Sequence, residues 1–285
     1  MTLTGFENIA VVCGNGLLPL TVIRALLSYG HKPLIVLLRG NVDKSLYEPY
    51  ILKHCAVVEI SISELSVFVN TLRKHDVFKV VLVGGVSSRP RAKDIKLDWI
   101  NLLALKELLP AFKSGDDALL RSFIRFLEKF GFTILGPQQI VPDLLAPPAA
   151  TLTKTCPNTN EKRNLSKARE AAKVLGALDI GQAVVAVGGR VVAVEGAEGT
   201  DNMLLRIKQI RCEKRIENYG GVLVKAAKPN QELRIDLPTI GLNTLYNAYQ
   251  AGLKGIGVEA GCSFILDKAQ VIQQANEYGM FISSF

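Results

Sequence analysis

The sequence predicts an α/β protein: an N-terminal Rossmann-like parallel-sheet domain joined by a proline-rich linker to a mixed α+β C-terminal domain. Short apolar runs alternate with longer amphipathic stretches through the first half, the pattern of parallel strands covered by helices. Five of the 12 prolines (Pro137, Pro142, Pro147, Pro148 and Pro157) crowd into one stretch, where fixed φ and missing amide donors oppose regular structure. Beyond it a helical stretch leads into an apolar hairpin. The expected divisions are residues 1–136, a linker over 137–158, and residues 159–285.

Asn8 to Cys13 reads as a buried strand. The helix after it runs to about Ser28, with Pro19 suited to its first residue and Gly30 ending it. Strands are expected at Pro33 to Leu38, Ala56 to Ile60 and Val80 to Val83, with a helix from Ser63 to Lys74 ahead of the last. Helices near Trp99 to Leu109 and Asp116 to Phe130 precede a strand near Phe132 to Leu135. In the second half a helix near Leu165 to Leu175 leads to strands Ala183 to Val187 and Arg190 to Val194, with Gly188 and Gly189 as their turn.

The 285 residues are 48% hydrophobic and carry a formal charge of +8, enough to bury a sizeable core and to favour anionic partners. Basic residues fall in short groups flanked by acids, such as Glu161-Lys162-Arg163 and Glu213-Lys214-Arg215, so no tract suited to nucleic acid is present and that partner is not expected. Five widely spaced cysteines contain no CxxC pair, which argues against a disulfide framework or a zinc site and for a reducing cytoplasm. No leader pattern opens the chain, and no run of ~18 apolar residues occurs. A soluble protein able to touch a membrane is expected.

Several segments carry candidate chemistry. Gly14-Asn15-Gly16-Leu17-Leu18-Pro19 is a glycine-containing turn between strand and helix, where free amides and the helix dipole suit a phosphate. Pro19 replaces the third glycine of the dinucleotide fingerprint, and Arg39 stands where an acidic ribose ligand is expected, so a standard NAD site is disfavoured. Gly84-Gly85-Val86-Ser87-Ser88-Arg89-Pro90 follows another strand and opens onto the same sheet edge. Gly115-Asp116-Asp117-Ala118-Leu119-Leu120-Arg121 reads as a helix start with acids complementing the dipole, or as a carboxylate pair for a metal. Glu195-Gly196-Ala197-Glu198-Gly199-Thr200-Asp201 places three carboxylates on one loop, suited to a hard divalent cation, while Thr200 equally suits an N-cap.

The most informative segment runs from Lys225 through Lys228, Gln231, Glu232 and Arg234 to Asp236 and Gly241. Its middle alternates with period two, which in an extended strand puts Glu232, Arg234 and Asp236 on one face and Leu233, Ile235 and Leu237 on the other. Cations beside a carboxylate are the parts that phosphoryl transfer needs; the same pattern also describes a half-exposed strand with surface ion pairs. No GxSxG, HExxH or GxxxxGK[ST] motif occurs, and His31, His54 and His75 have no partner at metal-ligand spacing.

Taken together, the Gly14 to Pro19 turn, Gly115 to Arg121, Asp179-Ile180-Gly181-Gln182, Glu195 to Asp201, Arg234 to Gly241 and Val258-Glu259-Ala260-Gly261 resemble the UDP-2,3-diacylglucosamine pyrophosphatase family of lipid A biosynthesis in Gram-negative bacteria. That resemblance spans nearly the whole chain. It implies a first domain receiving UDP, a second receiving the acylated sugar phosphate, and hydrolysis to UMP and 2,3-diacylglucosamine 1-phosphate with water attacking the β-phosphorus. It implies Asp236 as the catalytic residue and Mg²⁺, or another divalent cation, held by Asp236, Asp201 and Glu198. Substrate contacts are expected from Gly14, Asn15, Gly16, Gln182, Thr200, Lys225, Lys228, Gln231 and Arg234. The expected partner is a glycolipid nucleotide met at the cytoplasmic face of the inner membrane. Family members commonly show consecutive glycines where this chain has Gly14-Asn15-Gly16. The competing readings are a nicotinamide-dependent oxidoreductase and a non-catalytic sugar-nucleotide or lipid-binding protein.

Overall fold

The computed structural model describes residues 5–47, 49–86, 98–111, 116–229 and 231–285. The chain divides into two compact units, one of residues 1–142 with 232–236, the other of residues 143–231 with 237–285.

The first unit is built on β1 (Ile9–Cys13), β2 (Leu34–Leu38), β3 (Val57–Ile60), β4 (Lys79–Val83) and β5 (Thr133–Leu135), interleaved with α1 (Leu18–Ser28), α2 (Pro49–His54), α3 (Leu65–Lys74), α4 (Trp99–Leu108) and α5 (Asp116–Lys129). The order β3-β2-β1-β4-β5 is parallel throughout. Alternate residues feed two cores, as the pleat requires. Ala10, Val12, Val36, Val80 and Leu82 pack with Phe68, Ile124 and Phe126, whereas Val11, Cys13, Ile35 and Val81 pack with Ile23, Leu26 and Ile140. The Rossmann-like expectation therefore holds.

The proline-rich stretch is structured. Pro137 opens the short α6 (Pro137–Ile140), a 3₁₀ turn spans Pro142–Leu144, and bridges Leu145↔Phe264 and Thr151↔Ser283 tie its later part into the second unit.

That unit contains α7 (Thr159–Ala177), β6 (Ala183–Val187), β7 (Arg190–Val194), α8 (Gly199–Cys212), β8 (Val222–Lys225), β9 (Thr239–Ile240), α9 (Leu242–Gln250), β10 (Gly255–Val258), β11 (Phe264–Ile265), α10 (Lys268–Glu277) and β12 (Phe281–Ser284). Its main sheet runs β12-β10-β8-β6-β7, parallel at β12, β10 and β8 and antiparallel from β8 to β7. The mixed α+β expectation holds. Helix α7 starts six residues before its expected start at Leu165, because Asn158 accepts from the Asn160 and Glu161 amides and Glu161 returns a bond to the Asn158 amide, a capping box. Ala168, Ala172 and Gly176 are buried at fourfold spacing along α7, the first two packing against Val184, Ala186 and Val224 of the sheet.

One expected element is absent. Residues 232–236 form a turn, with the Ile235 and Asp236 amides both donating to the Glu232 carbonyl (3.1 and 3.2 Å). Glu232, Arg234 and Asp236 therefore do not share the face of a strand. The described segments contain no helix long and apolar enough to cross a membrane.

Candidate functional site at the sheet edges

Register alone assembles the second unit's site. Strands β8 and β10 run parallel and end together at Lys225 and Val258; β6 begins opposite Lys225, and Val194 of β7 lies opposite Val184. Gln182, Glu195, Lys225 and Glu259 consequently meet at one sheet edge.

Each is held by neighbours. Buried Glu195 accepts from the Thr200 hydroxyl (2.6 Å) and the Gln182 amide (3.1 Å). The approach needs Gly181, whose Cβ would fall 2.2 Å from the Glu195 carbonyl oxygen. Thr200 therefore does not cap α8, which has Glu198 at its N-cap position and no side-chain cap. Lys225 is 7% exposed and its ammonium donates to the Thr239 carbonyl at 3.1 Å. Past it, the Glu259 carboxylate accepts from the Ala227 amide (2.8 Å), Gln231 accepts from the Lys228 amide (2.8 Å), and the Gln231 amide group meets Gln182 at 3.3 Å. The Lys228 ammonium pairs with Asp179 at 2.6 Å. Asp179 adopts φ 54° just beyond α7, a left-handed conformation that Asp tolerates. Glu259 and Asp179 were not singled out by residue type; each lay inside a quoted motif without an assigned role. Asn230 lies outside the described residues.

At the first unit's edge the glycine turn is locked. The Gly14 amide donates to Val83 O, Asn15 and Gly85 exchange backbone bonds, and the Gly16 amide donates to the Asn15 side chain at 2.8 Å. The amides of Gly14, Asn15 and Gly16 are thus already engaged. The left-handed residue is Gly16 (φ 99°), and Asn15 has no positive φ. Helix α1 still begins without a side-chain cap. Arg39 lies 3.8 Å from both Glu59 and Glu64. Ser87, Ser88, Arg89, Pro90 and Gly115 lie outside the described residues, as does the side chain of Asp116; Asp117 is buried.

The 232–236 turn belongs to this first unit. Ile235 packs against its core, and Gln138 donates to the Leu233 carbonyl at 3.0 Å. Arg234 donates through Nε and Nη2 to the two Glu232 oxygens (2.8 and 2.9 Å) and through Nη1 to Glu128 (2.7 Å). The Arg234 guanidinium holds the Glu232 carboxyl below its ordinary range, and Glu232, then Glu128, raise the arginine in return. The arginine expected to meet substrate is committed to two carboxylates.

The proposed metal ligands fit a cation unevenly. Both Asp201 oxygens accept amide donors, from Asn243 and Asn247 at 2.9 Å each. Glu198 is paired with Arg206 at 2.6 Å and accepts from the Gly196 amide. Among the described residues no group of three acidic, His or Cys side chains is disposed to hold a metal. Asp201 and Glu198 are thus each engaged by other donors in this arrangement and do not fit as free ligands.

A parallel-sheet unit with a glycine-locked edge, and a mixed-sheet unit whose edge gathers lysines and carboxylates, define a two-unit α/β protein. The chain belongs to the LpxI family: residues 8–144 match the LpxI N-terminal domain and residues 148–283 the LpxI C-terminal domain. It is similar to the UDP-2,3-diacylglucosamine pyrophosphatase LpxI of Caulobacter vibrioides, 35% identical over 278 residues that cover 97% of this chain and 96% of that protein.

Proposed function

We propose that the chain hydrolyses the diphosphate of UDP-2,3-diacylglucosamine to UMP and 2,3-diacylglucosamine 1-phosphate in lipid A biosynthesis. One structural observation carries the reading: the lysine loop at the second unit's edge runs, within a few residues, into an anchored turn that ends in Asp236. Lys225 and Lys228 supply the positive charge that a diphosphate and its transition state require. The Asp236 carboxylate accepts a proton from the attacking water. The water oxygen bonds to the β-phosphorus, and the bridging oxygen departs with UMP. Gln182, Thr200 and Gln231 are assigned to the acylated sugar phosphate, and the Gly14 to Gly16 turn to the nucleotide. Mg²⁺ fits this donor set as a cation that keeps much of its water and takes one carboxylate, Asp236, with substrate phosphates; when bound it would neutralise phosphate charge.

An acylated substrate calls for a membrane, and we assign contact with the inner membrane's cytoplasmic face to α4. Its buried side carries Ile100, Ala104 and Leu108, yet Trp99, Leu102 and Leu103 are exposed on its other side beside Lys106, with Trp99 at 72%. An exposed aromatic with apolar neighbours and a lysine suits a lipid interface.

A single assay tests both parts. Substrate is presented with Mg²⁺ in anionic vesicles, UMP release is followed, and emission is read from Trp99, the chain's one tryptophan. Asp236→Ala should lower kcat by about 10³-fold or more, and heavy-oxygen water should label the sugar phosphate rather than UMP. Trp99 emission should shift to the blue as vesicles are added. Wild-type turnover in the Asp236 variant sinks the catalytic assignment, and unmoved emission sinks the α4 contact.

A further inference from the structure

We infer that Glu128 of α5 is a positioning residue for Asp236, acting through Arg234, and that Arg234 is a clamp on the 232–236 turn rather than a ligand for phosphate. The inference rests on Asp236 as the carboxylate of the reaction. A guanidinium presents its N–H groups in one rigid plane, and here all three nitrogens of Arg234 are spent on carboxylates: Nε and Nη2 on Glu232, Nη1 on Glu128. Only two of its five N–H groups remain, and the two carboxylates beside them repel a phosphate.

The same turn carries further anchors. Ile235 is seated in the first unit's core, the Leu233 carbonyl is held by Gln138, and the Ile235 and Asp236 amides converge on the Glu232 carbonyl. Glu128 and Arg121 are seven residues apart on α5, about two helical turns, so they share one side of the helix. The Arg121 charge also acts on Glu232, so α5 addresses the turn with an acid for its arginine and a base for its acid. Side chains at Arg234 and Glu128 are 37% and 40% exposed, and ion pairs that open to water add little to stability. Their value lies in orientation. Bonds made to Arg234 fix the direction in which the chain delivers Asp236, two residues on.

The test uses the full chain and the variants Glu128→Gln, Arg234→Lys and their double. Steady-state UMP release is measured alongside the rate at which trypsin cuts the Arg234-Ile235 bond and the thermal midpoint. Glu128→Gln should lower kcat about 10- to 100-fold, the scale of a small misplacement of a reacting group, with KM within about twofold and the midpoint unmoved. Trypsin should cut faster. Arg234→Lys, which lacks the planar fork that grips Glu232 through two nitrogens, should behave alike, and the double variant should lose no more than the worse single. Glu128→Asp should recover part of kcat.

An unchanged kcat in Glu128→Gln overturns the inference. So does a loss confined to KM, the signature of a substrate ligand, or fully additive losses in the double variant. Full activity in Asp236→Ala also overturns it, and the trypsin rates then separate the two failures: faster cutting in Glu128→Gln leaves the clamp real and Asp236 misassigned, whereas unchanged cutting means the clamp itself is absent.

Discussion

The two sheet edges solve different problems with different materials. At the first, Gly14 and Gly84 bring backbone against backbone, and side chains hardly enter. At the second, the backbone is ordinary sheet, and what matters is a set of charged and amide groups, Lys225, Lys228, Asp179, Glu195 and Glu259, each restrained by a neighbour. The first edge is defined by shape and should fail when volume is added. The second is defined by charge and should fail when charge is removed while the fold persists.

The largest expected effect comes from adding one carbon to the first edge. Gly84 has φ 91°, and a Cβ there would lie 2.7 Å from the Asn15 carbonyl oxygen and from Gly14 C. Positive φ and a backbone clash together should cost about 3 kcal/mol, lowering the midpoint of Gly84→Ala by roughly 6–12 °C. Gly85→Ala is the control, since its Cβ meets nothing within 4 Å, and it should melt close to wild type. Equal midpoints for the two variants would show that the edge yields and that shape does not define it.

At the second edge the expected effect is on turnover. Lys228 is largely buried against Asp179, with side-chain exposures of 14% and 31%. Lys228→Ala removes the cation proposed for the diphosphate and should lower kcat/KM about 100-fold. Asp179→Asn leaves the lysine charged and only loosens it, so its loss should be smaller, about 10-fold or less. Matching losses in a comparison of kcat/KM would make the pair a structural tie, and the contrast between the edges would go.

The first edge was also the more legible in sequence. Strands β1, β2 and β4 are buried, or nearly so, on both faces and read as near-continuous apolar runs, and with the shorter edge strand β3 their expected limits fall within a residue of those observed. Strands β8, β10 and β12 were missed: Val222–Lys225 is four residues long, Gly255–Val258 has glycine at alternate positions, and Phe281–Ser284 ends in two serines. The 232–237 segment misled for another reason. Alternation of charged and apolar residues imitates a strand, but Ile235 finds the first unit's core and Arg234 finds Glu128, 106 residues away. Such partners are invisible to local periodicity, and they override it. The candidate residues Lys225, Lys228, Gln182 and Gln231 were identifiable because they lie within motifs; the carboxylates that restrain the lysine loop became visible only once the sheet register placed them beside it.

The smallest expected effect is the most discriminating for the first edge, because it alters a hydrogen bond without adding volume. Asn15 spends its side-chain oxygen on the Gly16 amide at 2.8 Å, so the one amide of the turn that a side chain holds is unavailable to an anion unless Asn15 swings away. Asn15→Gly releases that amide and keeps the Asn15 backbone bridge to Gly85. A neutral hydrogen bond of this kind is worth about 0.5–1.5 kcal/mol, and the added chain freedom of glycine takes back part of it, so KM for the nucleotide substrate should fall by about two- to fivefold with kcat unchanged. If KM stays at the wild-type value while the protein melts normally, the Gly16 amide never reaches substrate. The first edge then serves to hold β1 against β4, and nucleotide recognition must be sought in side chains of the unit instead.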